Sequence, residues 1–134
     1  MNIDESLISK HSGRTVSLVN GCVCCSIAND FIETMIDLVN RIQEFDQVVV
    51  EASGVSEPDR IMDIARIDPE LVPNGIVVMV DAAEVKSHVD DPLISQVVRN
   101  QLRSADILVV NKIDLINEEL LEGLEKWLAG KSPF

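Results

Sequence analysis

Tyrosine is absent from this chain, and its 134 residues hold one Trp and three Phe. A core built on stacked aromatic rings is therefore excluded, and packing must come from Val, Ile and Leu, whose β-branched members suit a pleated surface. Hydrophobic residues still make up 46% of the chain, enough for the core of one domain and too many for global disorder. Cations are scarce: 11 Lys and Arg stand against 23 Asp and Glu, a formal net charge of −12. Nucleic acid and anionic membrane surfaces are bound through clustered Lys and Arg, so neither is expected as a partner. No apolar run reaches 18 residues, and "MNIDESLISK" has no apolar segment of signal-peptide type. The expectation is a soluble, cytoplasmic protein. Also missing is any G-x-x-x-x-G-K-[ST] run, the loop whose backbone N–H groups cradle nucleotide phosphates.

What is present is an alternation. Four apolar segments, "TVSLVN" (Thr15 to Asn20), "QVVVEA" (Gln47 to Ala52), "GIVVMVD" (Gly75 to Asp81) and "DILVVNK" (Asp106 to Lys112), read as strands. The last three are near-continuous Val/Ile runs, the pattern of strands buried on both faces of a parallel sheet. Amphipathic stretches lie between and after them: Asn29 to Phe45, Glu57 to Ile67 opening on Pro58, Asp90 to Leu102, and Asn117 to Leu128 with Gly123 inside it. This order predicts one α/β domain over residues 1–134, a doubly wound, mostly parallel sheet with helices on both faces.

Ligands of such sheets bind at the carboxyl edge of the strands. Each predicted strand ends there in polar residues: Asn20, "EASG" (Glu51 to Gly54), Asp81 and "NKID" (Asn111 to Asp114). A carboxylate at Asp114 can accept two hydrogen bonds from the N1–H and exocyclic amine of guanine. Adenine lacks that donor pair and would leave the carboxylate unpaired. Asn111 can fix the loop or reach a ring nitrogen, and the aliphatic stem of Lys112 can cover the base. Glu51 at a strand end can hold Mg²⁺ through water, and Gly54 leaves room for a backbone N–H to approach a terminal phosphate. The same stretch also reads as a turn leading into a helix, with Ser53 or Ser56 as its cap.

"NGCVCCS" (Asn20 to Ser26) holds all three cysteines of the chain, Cys22, Cys24 and Cys25. Thiolates are good ligands for Zn²⁺ and other divalent transition metals, and three of them leave a tetrahedral site with one position open. That suits metal transfer or a metal-bound water. Burial in a core and redox chemistry are the alternatives; Gly21 and the polar flanks weigh against the first, and the departure from C-x-x-C spacing against the second.

"NGCVCCSI", "VVVEASGVSEP", "GIVVMVDA" and "ADILVVNKIDL" stand in the order and spacing of the CobW-like GTPases, which the chain resembles from about Asp4 to Leu115. The resemblance implies a P-loop NTPase-like fold and a GTP-dependent metallochaperone or metalloenzyme activator acting on a client metalloenzyme. It implies Cys22, Cys24 and Cys25 as the metal motif, with zinc as the frequent ligand. Glu51 then takes the Mg²⁺-associated place, Gly54 the nucleotide-sensing place, and Asn111, Lys112 and Asp114 the guanine motif. Two departures accompany it. The phosphate-binding loop is missing, so the chain is expected to start beyond it and to be inactive as a GTPase alone, with self-association through an incomplete sheet. Where relatives often carry a His after "VDA", this chain has Glu84. A metal-binding fragment or an inactive remnant without nucleotide hydrolysis is the competing expectation.

Overall fold

The computed structural model describes residues 27–131. The strand expected at Thr15 to Asn20 and the cysteine cluster lie outside the described residues.

Among the described residues, two Val/Ile runs form the sheet. β1 (Val77–Asp81) pairs in parallel with β2 (Ile107–Asn111), with Val77 opposite Ile107, Val80 opposite Val110 and Asp81 opposite Asn111. Parallel neighbours cannot be joined by a tight turn. The connection here is a crossover carrying α3 (Val85–Asp90) and α4 (Ser95–Ser104). The amino ends of the strands are tied by Asp106, whose carboxylate accepts the Ile76 N–H at 2.7 Å. Gly75 lies close to that carboxylate, and a Cβ there would sit 3.2 Å from an oxygen of Asp106.

The other elements are α1 (Ile27–Val39), α2 (Pro58–Ala65) and α5 (Glu118–Ala129), with single 3₁₀ turns at Ile42–Glu44 and Ile113–Leu115. Pro58 opens α2, where its missing N–H costs nothing. Asn117 caps α5 by accepting the Leu120 N–H at 2.9 Å, and Glu118 and Glu119 complement the positive end of the helix dipole. Gly123 does not interrupt α5, because Leu124 and Leu128 beside and beyond it are anchored in the core.

Among the described residues, the core lies between the helices and one face of the sheet. Val80, Ala82, Val85, Val89, Leu102, Leu124 and Leu128 are buried together, with Val78, Leu108 and Val110 packed against them. The strands accordingly alternate. Their opposite face carries Val77 and Met79, which are 61% and 68% exposed, and Ile107 and Val109, also exposed. Burial on both faces, expected from the continuous apolar runs, is not found among the described residues.

Two further expectations differ. Gln47 to Ala52 is not a strand; Val49 and Val50 are exposed and make no ladder with any described segment. β propensity reports fit to a pleated surface and becomes a ladder only where a neighbour supplies the hydrogen bonds. The helix expected over Asp90 to Leu102 begins later, as α4 at Ser95, and a separate helix, α3, ends at Asp90. Pro92 pushes Asp91 to extended backbone (φ −73°, ψ 118°), and the Asp91 carboxylate accepts the Leu93 N–H at 2.8 Å, closing a turn in place of a helical one.

Leu124 is 2% exposed whereas Leu120, on the same helix, is 55% exposed. In urea denaturation, Leu124→Ala is expected to cost about 3 kcal/mol through lost burial and the cavity left behind. Leu120→Ala should cost less than about 0.5 kcal/mol.

Candidate functional site

The register places Asp81 opposite Asn111, so the loops after β1 and β2 leave from the same edge of the sheet. One carboxylate serves both loops. Its Oδ1 accepts the N–H groups of Ala83 at 2.9 Å and Glu84 at 3.3 Å, closing the turn into α3. Its Oδ2 lies 2.7 Å from the Lys112 ammonium. The backbone joins the same two loops, with the Ala82 N–H donating to the Asn111 carbonyl at 3.0 Å.

Lys112 has φ 56° and ψ 36°, the left-handed region, and is the single non-glycine residue with positive φ among the described residues. A side chain with a Cβ resists that conformation, so it persists where the surroundings over-determine it. Three contacts do so here. The Asn111 Oδ1 accepts the Lys112 N–H at 2.9 Å, the Lys112 carbonyl accepts the Leu115 N–H at 3.0 Å, and the ammonium meets Asp81. The Asn111 carboxamide oxygen is thus engaged within its own loop. Asp114 follows in the 3₁₀ turn and is exposed.

The hydrogen bond from Lys112 holds the Asp81 carboxyl below its ordinary range, against a smaller opposing effect of burial; the Ala83 and Glu84 N–H groups and the Lys112 charge add to the lowering. In return, Asp81 raises Lys112 above the ordinary lysine value, mainly through the same bond, with lesser help from Glu84 and Asp114.

The Glu51–Ser56 stretch is positioned differently. Glu51 is exposed, and the space where a Gly54 Cβ would sit is open. Ser53 and Ser56 do not cap α2, whose first turn follows Glu57 with no side-chain cap bond. Their hydroxyls bond each other at 2.9 Å, and Ser56 is buried. The loop is held from α4: the Gln101 carboxamide donates to the carbonyls of Gly54 and Ser56, both at 2.9 Å. Ser104 on the same helix bonds Asp59 of α2. Gln101 escaped the sequence reading because it lies 47 positions from Gly54, and nothing local in the sequence links them. Among the described residues, no bond runs from this loop to Asp81, Asn111 or Lys112.

Cys22, Cys24 and Cys25 lie outside the described residues. Among those described, no three His, Cys, Asp or Glu side chains converge as a metal site, and His88 is exposed on α3. A cavity of about 260 Å³, lined by Lys86, Val89, Asp90, Arg99, Trp127 and Lys131, shares no residue with the strand edge. No described helix is long and apolar enough to cross a membrane.

The Asp81–Lys112 contact predicts a pH dependence. A depressed carboxylate contributes stability above its unfolded pKa, and that contribution disappears as pH falls through the lower folded value. In a carbon-detected carboxyl titration, the Asp81 midpoint should therefore lie below the ordinary Asp value. In Lys112→Met it should move back upward.

The family model described as "CobW/HypB/UreG, nucleotide-binding domain" matches residues 1–133. The chain is 30% identical to the "Zinc chaperone CobW" of Sinorhizobium sp, over 87% of this chain and 39% of that protein. It is 30% identical to the "Zinc-regulated GTPase metalloprotein activator 1" of Schizosaccharomyces pombe, over 90% of this chain and 31% of that protein. Identity to the "Zinc chaperone YjiA" of Escherichia coli is 26%, over 88% of this chain and 39% of that protein. The chain thus spans at most about two fifths of the length of these relatives. No solved structure gives a significant match. With the family model covering nearly every residue and an α/β arrangement built on a parallel strand pair, the chain belongs to the CobW/HypB/UreG nucleotide-binding domain family.

Proposed function

We propose that the chain forms part of the nucleotide domain of a GTP-dependent zinc chaperone or metalloenzyme activator. The observation that carries this reading is the strand edge where Asp81 and Asn111 meet in register and Lys112 is held left-handed immediately before Asp114. Asn111 fixes the loop, the stem of Lys112 covers the base, and the Asp114 carboxylate accepts the guanine N1–H and amine. The names of the relatives, zinc chaperones and zinc-regulated GTPase activators, support the same assignment.

In this reading Gly54 receives the terminal phosphate through its backbone, and the space around its Cα supports that role. Glu51 is an exposed oxygen donor, suited to a Mg²⁺ ion that keeps most of its waters and is shared with the phosphates. Cys22, Cys24 and Cys25 take the zinc cargo as thiolates, with one coordination position left for transfer.

Two measurements on the 134-residue polypeptide test the two halves separately. In a zinc titration against a thiol-competing chromophore, sub-micromolar affinity that is lost in Cys24→Ser is expected; unchanged affinity in that variant would remove the cysteine site. Phosphoryl transfer rests on positioning and charge stabilisation, and no run in these residues matches the phosphate cradle. GTP turnover by the purified polypeptide should therefore stay at the level of the blank, and appreciable turnover would overturn that expectation.

A further inference from the structure

Asp81 belongs to no element of the guanine motif, yet it is the side chain on which the strand edge converges. We infer that Asp81 is a positioning residue for guanine recognition: its carboxylate, opposite Asn111, locks Lys112 into the left-handed backbone that leads the chain into Asp114. The inference rests on the guanine reading above and adds to it a residue that acts through Lys112.

The geometry gives the carboxylate two separable tasks. Oδ1 closes the turn at Ala83 and Glu84, and Oδ2 receives the Lys112 ammonium at 2.7 Å. An asparagine keeps the first task and loses the charge needed for the second; an alanine loses both. Asp81 is well covered, at 23% side-chain exposure, while Lys112 remains 56% exposed. The anchor is thus the more enclosed group and the lysine the more solvent-exposed partner. Glu84 and Asp114 also attract the ammonium, but through space only. Without Asp81, the lysine stem and its left-handed backbone lose one of three restraints, and ordering them falls on the incoming base. Affinity falls by the fraction of the population that leaves the competent conformation.

The test uses the 134-residue chain and its Asp81→Asn and Asp81→Ala variants, with GDP and ADP as probes at high concentration. Amide hydrogen exchange is followed at Lys112, Leu115, Ala83 and Glu84. In Asp81→Asn, exchange should rise about tenfold at Lys112 and Leu115 and less than about twofold at Ala83 and Glu84, and GDP should bind about fivefold more weakly with ADP unaffected. Asp81→Ala should raise exchange at all four positions. Unchanged exchange at Lys112 and Leu115 in Asp81→Asn would overturn the proposal whatever the nucleotides do. Faster exchange with unaltered GDP affinity would overturn the recognition role. Equal affinity of the unsubstituted chain for GDP and ADP would instead bring down the guanine reading itself, a result separable from the behaviour of Asp81.

Discussion

The parallel pairing of β1 with β2 is the constraint on which the rest of the described structure depends. It demands a crossover, and the crossover delivers α3 and α4 to the face where Val78, Val80, Leu108 and Val110 are packed. It also fixes which residues stand opposite each other at the carboxyl edge. Because side chains alternate along a strand, a slip of one residue would exchange the buried and bare faces. The same slip would separate Asp81 from Asn111. Core packing and site geometry are therefore set by one register.

At that edge the physics is local and over-determined. A lysine in left-handed backbone is unusual, and Asn111, Leu115 and Asp81 each supply part of its restraint. Both partners are charged through the neutral range at their ordinary values, and their opposite shifts, Asp81 downwards and Lys112 upwards, widen that window at both ends. The loop carrying Gly54 follows another logic. It is held by the neutral carboxamide of Gln101, whose two donor bonds carry no charge and are insensitive to pH. A short chain segment links the two systems, since Gln101 lies on α4 and α4 runs directly into β2.

Much of the fold is legible in the sequence. The Val/Ile runs at 75–81 and 106–112 are strands, Asn117 caps the helix it was expected to begin, and Pro58 opens another. The described structure departs from the sequence pattern where a local signal met a non-local requirement. Gln47 to Ala52 has strand composition and no described ladder partner, and the continuous apolar runs became alternating strands because described helices cover one face. Only the late start of the helix expected from Asp90 had a local signal, in Pro92 and the Asp91 side chain that turns the chain there.

Sequence alone determined the chemistry on offer: the carboxylate, amide and lysine of "NKID", the thiols of "NGCVCCS", the Glu and Gly of "EASG", and the absence of a phosphate loop. These are matters of residue identity and spacing, which need no partner to be read. Tertiary structure decided which of the described groups touch. Asp81 was visible as a polar strand end, but its hold on Lys112 exists only in the register, and the grip of Gln101 on Gly54 exists only once α4 has packed beside the loop. A hydrogen bond between residues 30 to 47 positions apart has no periodicity to announce it, because it is set by the path of the backbone between them.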